Sequence, residues 1–90
     1  MISQKVKIIN PNGLHMRQAG LFTKTVTAFE SEVYMKKDNT RINAKSILNV
    51  LAAEIKCGDE VEIICDGADE KEALKAAVEL IQSEIGEQTV

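Results

Sequence analysis

The chain has 90 residues, 44% hydrophobic and 28% charged, the length and apolar content of one small domain spanning residues 1–90. A chain this short buries only about 60–65% of its unfolded surface, which excludes a second core and a deep enclosed active site. Its net charge of −3, with three aromatic residues and no tryptophan, counts against the basic groove and stacking platforms of a nucleic-acid binder.

Only one histidine is present, His15, so a metal site built from several imidazoles is excluded within one chain. Cys57 and Cys65 lack the close spacing of a metal knuckle or a redox dithiol and read as free thiols. No apolar run approaches the roughly 20 residues that span a bilayer, and residues 1–5 carry no signal-type apolar stretch. The expected location is the cytoplasm, without membrane insertion.

In chain order, residues 2–9 set Val6 and Ile8 against Lys5 and Lys7, the period-two pattern of a strand with one buried face. Asn10-Pro11-Asn12-Gly13 stops that strand, because proline removes a ladder donor and glycine accepts positive φ. Ala19, Phe22, Val26 and Phe29 then recur at helical spacing and predict an amphipathic helix over 16–29, with His15 at its amino-terminal edge. Alternation at Val33 and Met35, a turn at Asp38-Asn39 and a return through Arg41-Ile42-Asn43 predict a hairpin over 32–43.

From Ser46 the pattern is helical again as far as Gly58, carrying Ile47, Leu48, Val50, Leu51 and Ile55. That segment is too apolar all round for a solvated helix, so one side is expected to face a partner. Glu60 to Asp66 alternates as a strand with Cys65 in the core. Asp69 with Glu72 resembles a capping pair, followed by Leu74, Ala77, Val78, Ile81 and Ile85 in a helix ending near Gly86. The order β-α-β-β-α-β-α, with each strand apolar on one face, predicts an α+β fold: one sheet with helices packed on a single side.

The segment that carries chemistry is Gly13-Leu14-His15-Met16-Arg17, where the imidazole sits at a helix amino terminus with a guanidinium two residues on. First-turn N–H groups lack intrahelical partners, and the macrodipole adds about half a positive charge, so the place suits an anion. A neutral imidazole leaves one ring nitrogen unprotonated, free to act as a nucleophile. Arg17 opposes the helix dipole, a small cost that an arriving phosphoryl group would remove. A histidine that is itself phosphorylated fits, since phosphoryl transfer needs positioning and charge stabilisation more than a cavity. The plain alternative is an incidental N-cap residue beside a solvated arginine.

With Gly13-Leu14-His15, Arg17 and Ala19, the stretches Asn43-Ala44-Lys45-Ser46-Ile47-Leu48, Gly58-Asp59-Glu60-Val61 and Gly67-Ala68-Asp69-Glu70 resemble, in register and over nearly the whole chain, the HPr family. These are the histidine-containing phosphocarriers of the bacterial phosphoenolpyruvate-dependent sugar phosphotransferase system. The resemblance implies an open-faced β-sandwich, its four-stranded antiparallel sheet ordered 1-4-2-3 with three helices on one face. It implies that His15 accepts a phosphoryl group on Nδ1 from phosphorylated enzyme I and donates it to sugar-specific IIA proteins or domains, and that Arg17 stabilises the phosphoryl group. The chain would then be a carrier, not an enzyme with turnover on a small substrate, and no cofactor or metal is implied.

Read locally, Ser46 is an N-cap hydroxyl worth about 1 kcal/mol. The resemblance implies a second role, as the regulatory serine phosphorylated by the ATP-dependent HPr kinase/phosphorylase, with a transcriptional regulator as a further partner. A phosphoserine suits a helix amino terminus while its roughly two negative charges change the neighbouring surface. The family's docking patch falls here on Met16, Gly20, Lys24, Ile47, Leu48 and Leu51, and a carrier that keeps it free is expected to be a monomer.

Two positions depart from the family pattern. Gln18 stands where most members have proline, which predicts a looser first turn, and Met16 where a small residue is usual. They motivate an alternative function, a specialised paralogue acting mainly as a regulatory protein-interaction module. A family branch without phosphotransfer replaces the histidine, whereas His15 is retained here.

Overall fold

The computed structural model describes residues 1–9 and 12–82. Seven elements follow the expected order: β1 (Ile2–Lys7), α1 (Met16–Thr27), β2 (Glu32–Lys37), β3 (Thr40–Asn43), α2 (Ile47–Ala52), β4 (Glu60–Asp66) and α3 (Glu70–Leu80). The four strands form one antiparallel sheet in the order β1-β4-β2-β3. In β4, Val61, Ile63 and Cys65 point inward and meet Val6, Val33 and Met35 of its neighbours. Against this layer α1 contributes Ala19, Phe22 and Val26, and α3 contributes Ala73, Ala77 and Val78. All of these belong to one buried cluster, so the helices lie on one face of the sheet. Across the other face Lys5, Glu62, Lys36 and Arg41 are neighbours in register, a solvated row of mixed charge.

Cys65 is fully buried, as its alternation predicts, and burial pushes its thiol up to about 11. It is a protonated, free core residue; Cys57 is free and exposed.

Several boundaries differ from expectation. β1 ends at Lys7: Ile8 is buried, but its N–H and carbonyl bond to Asp59 O (2.8 Å) and Gly58 N (2.7 Å), a loop rather than a strand partner. α1 stops at Thr27, with Ala28 and Phe29 closing its last turn. The helix expected as far as Gly58 is only six residues long, and Ile55 lies outside it, buried in the loop that follows. Glu54 ends it by adopting φ +51°, the left-handed conformation that usually falls to glycine at such a place. Asn10 and Pro11 of the expected turn, and Ile85 and Gly86 of the last helix, lie outside the described residues.

The capping pair is also corrected. Asp69 occupies the N-cap of α3 but makes no side-chain cap bond, and Glu72 is exposed. The Asp69 carboxylate instead accepts from Glu30 N (2.9 Å), Ser31 N (2.8 Å) and the Ser31 hydroxyl, fastening the chain entering β2 to the chain leaving β4. Gly67 makes room for the fastening, since a Cβ there would come within 2.6 Å of Ser31 Cα. Gly67 N in turn donates to Glu70 Oε1 at 3.1 Å.

The Ser31 hydroxyl, then the Glu30 and Ser31 amides, hold the Asp69 carboxyl below its ordinary value. Because the folded value lies below the unfolded one, this contribution to stability is complete above about pH 4 and is lost as pH falls through the depressed value. Asp69→Asn should therefore be less stable than the parent at neutral pH, with the gap closing in acid. Urea midpoints at about pH 7 and about pH 2.5 measure this; an unchanged gap would contradict it.

Candidate functional site

The loop that presents His15 rests on the backbone of the loop before β4. Leu14 N donates to Ile55 O at 3.0 Å, and Leu14 is itself buried. Gly13 has φ +66°, and a Cβ on it would strike Ile55 O and come within 2.8 Å of Lys56 Cα. Glycine here therefore satisfies both a left-handed backbone and a direct approach of two chain segments.

His15 is the N-cap of α1, with extended backbone at φ −74° and ψ 178°. Its carbonyl accepts from Ala19 N at 2.7 Å and starts the helix, while its side chain is exposed and makes no cap bond. The N–H groups of Met16, Arg17 and Gln18 thus lie in the first turn without an intrahelical acceptor, and no acidic residue stands there. Arg17 is exposed in that turn, so sequence and structure agree on a positive, donor-rich surface around a free imidazole. Gln18 is half-buried, and its Oε1 finds no hydrogen-bond partner among the described residues. Among those residues no group of three His, Cys, Asp or Glu side chains could hold a metal ion.

Ser46 caps α2 as its sequence suggests: its Oγ accepts from Asn49 N at 3.3 Å and its carbonyl from Val50 N at 3.1 Å. The turn before it is fixed by Lys45 Nζ on Phe29 O (2.7 Å), Lys45 N on Asn43 Oδ1 (2.9 Å) and Thr23 Oγ1 on Ala44 O (3.2 Å). Two of those bonds reach α1 or its end, so α1 and α2 are held together.

The residues expected to form a docking patch divide by burial. Met16 and Leu48 are 69% and 75% exposed, and Lys24 is exposed. Ile47 and Leu51 are half-buried against the core, and Val50 is the one α2 residue fully inside. Gly20 meets Ile47 Cδ1, which a Cβ would approach to 3.4 Å, the near limit of ordinary van der Waals contact. Leu21, 41% exposed, joins this surface and was missed. It follows Arg17 by four positions, so the outward face of the helix was the signal that could have found it. A hollow of about 260 Å³ near Ile42 and Ala53 has no lining residue from α1. The His15 imidazole stands on an open surface, away from that hollow.

The fold is an open-faced sandwich with an exposed histidine at a helix start, and the proteins similar to it are small phosphocarriers. The chain matches the family described as "PTS HPr component phosphorylation site" over residues 2–83, and it belongs to the HPr phosphocarrier family of the phosphotransferase system. It is 41% identical over 87 residues to the phosphocarrier protein HPr of Neisseria meningitidis, covering 97% of this chain and 98% of the relative. The HPr-like protein Crh of Bacillus subtilis is 38% identical over 85 residues, covering 94% and 100%. A crystal structure of HPr from Thermoanaerobacter tengcongensis superposes with a TM-score of 0.93 at 40% identity, covering 99% and 100%. A crystal structure of Crh described as a dimer with a swapping domain superposes with a TM-score of 0.75 at 38% identity, covering 94% and 98%. The four-stranded 1-4-2-3 sheet with three helices, expected from the resemblance, is the fold observed. Among the described residues no helix is long and apolar enough to cross a membrane.

The two glycines of the site should respond in opposite directions to alanine. Gly13→Ala meets a carbonyl and a strained φ and should lower stability by about 1–3 kcal/mol. Gly20→Ala fills open contact distance in a helix and should raise stability by up to about 1 kcal/mol. Thermal unfolding of both variants checks the pair; a stabilised Gly13→Ala would mean the loop does not lie on Ile55.

Proposed function

We propose that this chain carries phosphoryl groups: His15 accepts one on Nδ1 from phosphorylated enzyme I and passes it to sugar-specific IIA proteins or domains. The observation that carries this reading is the exposed imidazole of His15, bound to no cap, at the start of α1. In the transfer the histidine nitrogen attacks phosphorus, the phosphorus bond to the donor breaks, and the ring's other nitrogen holds its proton. Arg17 and the first-turn N–H groups stabilise the oxygens of the transferred group. Met16, Gly20, Lys24, Ile47, Leu48 and Leu51, with Leu21, form the surface on which both partners dock in turn. In this reading the chain acts as a monomer, which keeps that surface free for one partner after another.

Similarity to Crh, together with the capping geometry of Ser46, favours a second, regulatory reading. Here HPr kinase/phosphorylase phosphorylates Ser46, and the modified surface meets a transcriptional regulator. Phosphorylation replaces the hydroxyl that Asn49 N now addresses with an acceptor group at a helix start, and places negative charge beside exposed Leu48. Both modifications fit one chain, one at the start of α1 and the other at the start of α2.

The test uses phosphoenolpyruvate and enzyme I. An acid-labile phosphoryl group should appear on the parent and on Ser46→Ala and be absent from His15→Ala; label retained in His15→Ala refutes the assignment. Arg17→Ala should slow labelling about 10- to 100-fold. Leu48→Asp should raise KM for enzyme I about tenfold at nearly constant kcat. With ATP and the kinase, label should be absent only from Ser46→Ala.

A further inference from the structure

The loop under His15 is itself held by a residue from another strand. Lys37, the last residue of β2, sends its ammonium into the turn between α2 and β4. There Nζ donates to Glu54 O at 2.9 Å and to Ala53 O at 3.4 Å, and pairs with Asp59 Oδ2 at 3.0 Å. An ammonium has three N–H donors, and each has one acceptor. Lys37 and Asp59 are only 24% and 27% exposed, so the pair is partly shielded from solvent.

These acceptors mark the two ends of one loop. Ala53 and Glu54 close α2, their carbonyls being among those a helix leaves without an internal partner. Asp59 immediately precedes β4, and its carboxylate also accepts from Lys56 N at 2.7 Å. The Lys56 amide first, and Lys37 second, hold the Asp59 carboxyl below its ordinary value. Lys37 thereby fastens residues 53–59 into a ring. It also steadies Glu54, whose left-handed φ of +51° carries a conformational cost without glycine.

That ring supports the candidate site. Ile55 O accepts from Leu14 N, and Gly13 lies against Ile55 O and Lys56 Cα. Asp59 O and Gly58 N bond to Ile8, where the chain leaves β1 for the His15 loop. Both roots of that loop therefore stand on a segment whose ends Lys37 joins.

We propose that Lys37 is a positioning residue for phosphoryl transfer at His15, acting through the 53–59 loop to fix Leu14 and hence the imidazole. This rests on the carrier reading above and extends it to a residue that touches no reacting atom. Lys37 is not on the docking surface of α1 and α2, so its loss should impair presentation of the nucleophile and spare partner binding.

The experiment compares the parent with Lys37→Met, which keeps the stem without the charge, and Lys37→Arg, which restores donors. With phosphorylated enzyme I, Lys37→Met should show kcat reduced about 3- to 10-fold at a KM within about twofold of the parent, and Lys37→Arg should recover most of that loss. Amide hydrogen exchange at Leu14 should quicken about fivefold or more in Lys37→Met and return towards the parent rate in Lys37→Arg. If Lys37→Met does not fold, Lys37→Gln takes its place in both measurements. An unchanged Leu14 exchange rate, an unchanged kcat, or a loss confined to KM overturns the role of Lys37 while leaving His15 labelling intact. A parent that accepts no phosphoryl group overturns the carrier reading and this role together.

Discussion

Strand β4 pairs on both sides, with β1 and with β2, and the placement of the candidate site depends on that double pairing. Lys7, at the end of β1, stands opposite Glu60, at the start of β4. The chain leaving the first strand must therefore run beside the chain entering the fourth. The result is an exchange of backbone bonds between Ile8, Leu14, Ile55, Gly58 and Asp59, segments more than forty positions apart. Closing such a span costs conformational entropy, which grows only slowly with loop length. Burial of Val61, Ile63 and Cys65 in the centre of the sheet offsets it. His15 is thus presented by a local turn braced on a distant one, both positioned by the same strand.

The other end of β4 solves a similar problem by different means. Glu32 stands opposite Asp66, so the connections before β2 and after β4 also converge. Here one side chain, Asp69, accepts from two backbone amides and a buried hydroxyl on the neighbouring connection. A carboxylate clamp depends on ionisation, whereas the backbone lattice under His15 does not. The end that carries the candidate chemistry is consequently braced mostly by peptide groups, whose hydrogen bonding is independent of pH. Among the described residues it also has an ionic element, Lys37 with Asp59, at the outer margin of the brace.

Much of this architecture was legible because burial imposes a period. The limits of β4 and the inward set of α1 could be read from alternation and from helical spacing. Ile55 misled for the same reason: with Ile47 and Leu51 it continues a four-residue spacing, although the helix has already ended. What ends it is a left-handed glutamate, a conformation no local sequence rule assigns to that residue. Asp69 misled because a carboxylate before a helix can serve the helix or a remote pair of amides, and only the tertiary approach of Ser31 decides between them. His15 stood out as the sole imidazole at a helix start, and Ser46 as a hydroxyl at another. Lys37 did not, since a lysine ending a strand looks solvated until the carbonyls of another element are seen around it.

A carrier has to bind its phosphoryl group firmly enough to receive it and loosely enough to release it. The start of α1 suits both requirements for a physical reason. An N-cap residue that does not cap forgoes about 1 kcal/mol of helix stability and leaves first-turn N–H groups to water. A phosphoryl group on His15 would supply the missing acceptor oxygens, and Arg17 would meet a charge that relieves its unfavourable place in the dipole. Those gains are surface hydrogen bonds and screened charge, modest beside those of an enclosed phosphate cradle. On this surface an incoming partner could compete for the same oxygens, so the openness of so small a domain would also keep the proposed transfer reversible.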